Sequence, residues 1–214
     1  MRKDNEKMAE KIDISELKQV SFSDKGAKPF TEALADPASK LSLGSVGAYA
    51  AADAAALALK AVRCCPSDEP VMKTAAADLE KLRGYFVFLI DEENKAKLPL
   101  EKRLNTGAPE QEIEAGYRTA CMIQSEILYT SIRMIDVIGS VADMICPCSA
   151  HLCAAALIYL KTSLDSARLM LAHLAAGMKD EVSAHTTRRE PEIAIAGVAD
   201  RLSALTAKFE AAIG

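Results

Sequence analysis

The chain has 214 residues, half of them apolar, with 30 acidic against 26 basic side chains and a formal net charge of -4. That length suits one domain or a domain with an appended arm, and a balance this acidic, with no basic stripe, excludes a nucleic-acid footprint. Aromatic residues are only 5% and Trp is absent, so the core must be built from Ala, Leu and Ile, a composition that favours closely packed helices over a β-sandwich.

Residues 1–27 read as a charged N-terminal arm, in which Ile12, Ile14, Leu17 and Val20 form a helical stripe that ends at Gly26. Residues 28–214 read as one helical domain. Pro29 stands in the first turn of a short helix reaching Ala35, and Asp36 and Pro37 open a loop to Leu43. Gly44, Ser45, Val46 and Gly47 lead into an apolar helix over 46–64, ended by Pro66. Its Ala-rich part, Ala48 to Val62, contains Asp53 and Lys60 and is shorter than the ~20 residues a membrane span needs. A buried helix is therefore expected, not a membrane segment.

A second long helix is predicted over 71–97, with Leu79, Leu82, Phe86, Leu89 and Ile90 on one stripe and Pro99 closing it. The third runs from Pro109 or Glu110 to about Ile145, on a stripe from Ile113 and Ala120 through Ile127 and Met134. After Cys146, Pro147 and Cys148, Ser149 is the expected N-cap of a fourth helix ending near Gly177. Residues 179–190, with Arg188 and Arg189, read as a charged connection. Pro191 is expected to start a final helix seamed by Ile195, Val198, Leu202, Leu205 and Phe209. The expectation is an all-α bundle of four to five long helices. Several helices are apolar on more than one face, which predicts a homodimer. The six cysteines, with no secretory signal in the first residues, suit reduced thiols in a cytoplasmic protein.

Three stretches occur in a telling order. Phe30 to Ala35 is followed by Gly44 and Ser45 opening an Ala-rich helix. Phe88, Leu89, Ile90, Asp91, Glu92 and Glu93 come next, with Lys97, Leu98 and Pro99 close behind. Ser149 then opens the helix that holds Cys153, Ala154, Ala155 and Ala156. This order resembles the formimidoyltetrahydrofolate cyclodeaminase and methenyltetrahydrofolate cyclohydrolase family over most of residues 28–210. The resemblance implies a homodimeric helical domain acting on a reduced folate as substrate, by ring closure with ammonia release or by hydrolysis of the methenyl bridge. It also implies Glu93, together with Asp91, as the acid or base, with Gly44, Ser45, Ser149 and His151 on the ligand. A helix entered through glycine offers backbone N–H groups to an anionic ligand, and both reactions need a tuned carboxyl group. The chain departs from the family pattern in having Leu41, Ser42 and Leu43 where the family has Pro-Gly-Gly, and Glu93 where the family has Asp. At the third motif Ala150 or Leu152 stands in place of an Asp.

Other readings accompany this one. Cys146, Cys148, His151 and Cys153 invite zinc, but structural zinc favours Cys-x-x-Cys pairs, so thiols buried at a tight turn and no metal are expected. A cysteine nucleophile with His151 or His173 as base has no recognisable context. Lys161, Asp165 and Arg168 form a polar strip, either solvated or able to hold an anionic tail. The alternative to a folate enzyme is a repurposed non-catalytic dimeric bundle that kept the fold and lost the site. A further alternative is a helical scaffold that binds a protein partner through its arm.

Overall fold

A computed structural model describes residues 26–37, 39 and 41–213; the expected stripe from Ile12 to Val20 lies outside them. The described residues fall into two units that divide after Ser39. The first holds α1 (Lys28–Ala35), a two-turn helix with proline at its start and no buried residue. The second holds five long helices: α2 (Leu43–Arg63), α3 (Pro70–Thr106), α4 (Glu110–Ser140), α5 (Pro147–Gly177) and α6 (Glu181–Ala211). No strand occurs among the described residues, so the protein is all-α.

In the second unit α2 packs between α3 and α5, α4 packs against both α3 and α5, and α6 lies along α5 with a lighter contact to α4. What permits α2 its central place is its lack of bulk. Ala48, Ala51, Ala54, Ala55, Ala58 and Ala61 are almost wholly buried, and at Gly47 an added Cβ would come within 3.0 Å of Ser166 Cβ on α5. Backbones at such close range gain dispersion contacts along their whole length. The larger side chains come from the neighbours: Leu79, Phe86 and Leu89 of α3, Ile127, Met134 and Ile135 of α4, and Leu157, Leu160 and Leu164 of α5. Each Leu, Ile or Phe so buried contributes roughly 1.5–3 kcal/mol. Between α4 and α5 a buried hydroxyl pair, Ser131 and Ser163, is joined at 3.0 Å, and Ser131 also donates to the Ile127 carbonyl at 2.7 Å, so the pair is satisfied.

Four boundaries differ from the sequence reading. First, α2 starts at Leu43, capped by Ser42, whose hydroxyl accepts from Gly44 N–H at 3.1 Å. At 21 residues it is the one helix among those described that is long and apolar enough to cross a membrane, and 67% of its most apolar window is buried. Burial, not length, is what fits it to a bundle core. Second, α3 does not stop at Pro99 but passes through it to Thr106, where Gly107 takes a left-handed conformation (φ 62°) and ends the helix. Burial of Leu100 with Ala120, Cys121, Leu171 and Leu174 holds the extra turns in place. Third, residues 181–190 belong to α6, which starts at an Asp180 cap accepting from Val182 and Ser183 N–H; Pro191 is buried inside the helix. Fourth, α4 ends at Ser140, with tight turns following in which Met144 N–H donates to the Val141 carbonyl at 2.9 Å. Ser149 is then the third residue of α5, and Cys146 occupies the N-cap position.

Candidate functional site under the start of α2

Glu93 is the buried carboxyl group of the acidic motif: its residue is 1% exposed, whereas Asp91 faces solvent. Neither ends a helix. Both lie within α3, with more than three further turns after them. The unfavourable dipole that a helix end would impose is therefore absent, and Glu93 lies instead beside the first turn of α2, where the helix dipole favours negative charge.

Four donor groups converge on it. Ser42 Oγ donates to Glu93 Oε1 at 2.6 Å and Ser45 Oγ donates to Oε2 at 2.9 Å. Gln124 Nε2, from α4, donates to Oε1 at 3.2 Å. Lys97 Nζ, one turn further along α3, stands 3.8 Å from Oε1. Ser42 does double duty, since the oxygen that donates to Glu93 also accepts from Gly44 N–H. The carboxyl group thereby fixes where α2 begins. Hydrogen bonds of this kind are stronger than neutral ones, and a buried carboxyl group without them would carry a heavy desolvation cost.

Gly44 makes the arrangement possible. A Cβ at that position would lie 2.3 Å from Gln124 Nε2 and 2.8 Å from both Gln124 Oε1 and Glu93 Oε1. The Gln124 amide is oriented by its bond to Glu93, because the flipped amide would set oxygen against oxygen. In that orientation Gln124 Oε1 is buried and finds no hydrogen-bond partner among the described residues. An orphaned acceptor of this kind costs about 1–3 kcal/mol.

The structure brings Glu93, Gly44 and Ser45 together but sets Ser149 and His151 apart from them. Ser149 is buried at the start of α5, and Cys146 Sγ donates to its hydroxyl at 3.3 Å; His151 is exposed. That group sits beside Cys65, just past the far end of α2, and the helix from Ser45 to Arg63 is about 27 Å long at 1.5 Å per residue. Ser42, Lys97 and Gln124 are additions to the site. Ser42 is a helix-capping residue type just before Gly44, and Lys97 is four residues beyond Glu93, so both left a signal. Gln124 left a subtler one, an amide on the apolar stripe between Ala120 and Ile127. The strip of Lys161, Asp165 and Arg168 lies on α5, with Lys161 paired to Asp165 at 2.7 Å and both substantially solvated.

Two open concavities lie elsewhere. One, of about 480 Å³, runs between α4 and α6 past Arg118, Ser125, Tyr129 and Thr187. The other, of about 470 Å³, lies between α3 and α4 beside Lys81, Tyr85 and Arg133. Neither is lined by Glu93, Gly44 or Ser45.

Comparison with solved structures bears on the fold. The chain shares its fold with a formiminotetrahydrofolate cyclodeaminase. That protein, from Thermotoga maritima, superposes with a TM-score of 0.73 over 84% of this chain and 94% of its own, at 16% sequence identity. No protein-family model matches the sequence, and no curated protein does. At that identity the likeness establishes the fold.

Proposed function

We propose that the protein binds a reduced folate derivative at the start of α2 and acts on its one-carbon unit, with Glu93 as the acid–base group. The observation that carries this reading is the buried Glu93 carboxyl group, held by Ser42 and Ser45 at the mouth of a glycine-opened helix, in a fold shared with a folate cyclodeaminase. Hydrolysis of a methenyl bridge requires a base to take a proton from water, and ammonia release requires an acid to give one; a carboxyl group serves either role. Lys97 supplies positive charge beside it. Glu93 is covered by the Gln124 amide, which makes one bond of 3.2 Å and leaves its oxygen orphaned. A cover so poorly satisfied is easily displaced, and the N–H groups of a pterin ring are donors of the kind Gln124 Oε1 lacks. Asp91, on the solvent side of α3, has a supporting role at most. Ser149 and His151 belong to a different part of the same chain.

Thermal unfolding with formyl- and methenyl-tetrahydrofolate tests the reading. A ligand that binds only the native state raises the midpoint as its concentration rises. Glu93→Gln is expected to keep that rise and lose turnover. No rise at any concentration would remove the folate assignment.

The second reading, a bundle that kept the fold and lost the chemistry, is favoured by one observation. The Glu93 side chain has no exposed surface, and the space a ligand would use against Gly44 is filled by Gln124. In that case Glu93 serves as a buried polar pin for α2. Gln124→Ala separates the two: it opens the space, so a folate protein gains or keeps ligand response while a purely structural bundle only loses stability.

We also infer a homodimer. Val87 and Phe88 of α3, Met122 and Tyr129 of α4, and Ile158 and Tyr159 of α5 are large and exposed, and apolar side chains left open on three helices are what a second copy of the chain would cover. Light scattering on the eluted protein should give twice the chain mass; a monomer at micromolar concentration would overturn the inference.

A further inference from the structure

Far from Glu93, three sulfur atoms meet where two helix ends face one another. Cys65 follows the last turn of α2, Cys146 is the N-cap residue of α5, and Cys148 lies in the first turn of α5. Cys146 Sγ is 2.8 Å from Cys65 Sγ and 2.9 Å from Cys148 Sγ, so it is the sulfur the other two share. The Cys146 N–H also donates to Cys65 Sγ at 3.0 Å, which fixes the connection between α4 and α5 against the end of α2. Exposure is graded across the group: Cys148 is exposed, Cys146 is half-buried and Cys65 is buried.

These separations do not suit a metal centre. Two thiolates on one tetrahedral zinc ion, each at 2.3 Å from it, stand roughly 3.8 Å apart, and no group of three or more His, Cys, Asp or Glu among the described residues is arranged to hold a metal. They do suit attack of one sulfur on another, which needs a thiolate, a neighbouring sulfur and a way to the surface.

We propose that Cys65, Cys146 and Cys148 form a thiol–disulfide exchange site, in which a low-molecular-weight disulfide such as oxidised glutathione bridges Cys65 to Cys146 and Cys148 passes the bridge to the surface. The two helix ends set the polarity of the group. The start of α5 favours negative charge on Cys146, and the end of α2 disfavours it on Cys65. Hydrogen bonds from Cys148 and Cys65 hold the Cys146 thiol down at about 7, while burial pushes the Cys65 thiol up. Cys153, one helical layer deeper, is pushed up to about 12 by burial and is inert.

In the forward direction the Cys146 thiolate attacks one sulfur of glutathione disulfide. The glutathione S–S bond breaks, a Cys146–glutathione bond forms, and one glutathione leaves as thiolate to take up a proton. Cys65 gives its proton to solvent and attacks Cys146 Sγ, expelling the second glutathione thiolate. Two electrons have passed from the two cysteines to the glutathione disulfide, which departs as two thiols. In reverse, Cys148 attacks Cys146 Sγ and frees Cys65. The disulfide now joins Cys146 to Cys148, where an external thiol can reach it.

The test is equilibration of the reduced, full-length protein in anaerobic buffers of graded reduced and oxidised glutathione, followed by acid quenching, alkylation and peptide mapping by mass spectrometry. The expected product is a peptide linked through Cys65 and Cys146, lost entirely in Cys146→Ser. Cys148→Ser changes an exposed position, so it is expected to fold, to form the bridge still, and to be reduced by external thiol several-fold more slowly. Iodoacetamide at neutral pH should modify Cys146 faster than the exposed Cys64. Glutathione adducts on Cys64 and Cys148 with no linked pair among the three would overturn the proposal. So would stoichiometric zinc released from these thiols on oxidation, which would make them ligands.

Discussion

The Gly44 position couples a backbone to a carboxyl group through space that no side chain can share. Gly44→Ala should push the Gln124 amide off Glu93 and cost about 1–3 kcal/mol, the usual range for a buried hydrogen-bonding group left unpaired; urea unfolding measures it, and an unchanged midpoint would mean that the amide swings away freely. A second residue-scale effect lies at Asp53, half-buried on α2. Burial pushes its carboxyl group above the ordinary range, and its charge pushes the neighbouring Tyr49 hydroxyl up in turn. Because the folded-state value of Asp53 is the higher one, the fold binds more protons than the unfolded chain between the two values, so this group lowers stability as pH rises through them. Asp53→Asn should therefore raise the thermal midpoint at neutral pH relative to the parent and lose that advantage below the ordinary Asp range. At this scale the sequence exposed the site only in part. Gly44, Ser45 and Glu93 stood out by type and order, but nothing short of three dimensions separates them from Ser149 and His151. The length of α2 that divides the two groups is a property of the fold, not of any local motif.

Helix existence was legible and helix ends were not, and proline explains two of the four displaced ends. Pro99 and Pro191 look like boundaries because each removes a backbone donor and crowds the preceding turn. In both helices the residues around the proline find burial worth more than the lost bond: Leu100 in α3, and Pro191 itself in α6. A propensity argument sees only the cost. Pro99→Ala should consequently stabilise the protein, by up to about 3 kcal/mol if the turn relaxes fully, and chemical denaturation would show it. A loss of stability instead would mean that Pro99 itself is needed to seat Leu100 against α4. Ser149 differs from its expected place for a related reason, a partner distant in sequence. Ser is a common cap, but here Cys146 takes that position, and its backbone N–H is held by the sulfur of Cys65, eighty-one residues earlier and just past the end of α2.

On the scale of the molecule, the all-α bundle follows from composition: too few aromatic and β-branched residues for sheets, abundant alanine for close helices. The order of the helices around α2 did not follow, since α3 and α5 both offer apolar faces and sequence spacing does not say which pair with which. The central place of α2 has a consequence for how the chain is made. α2 is synthesised early, yet one of the two surfaces that cover it belongs to α5, about a hundred residues later. On the ribosome it therefore waits half-covered, an apolar helix of membrane-spanning length, the kind of segment that chaperones seize. A fragment ending at Ser140 should pellet with lipid vesicles or aggregate, whereas the whole chain stays in the supernatant.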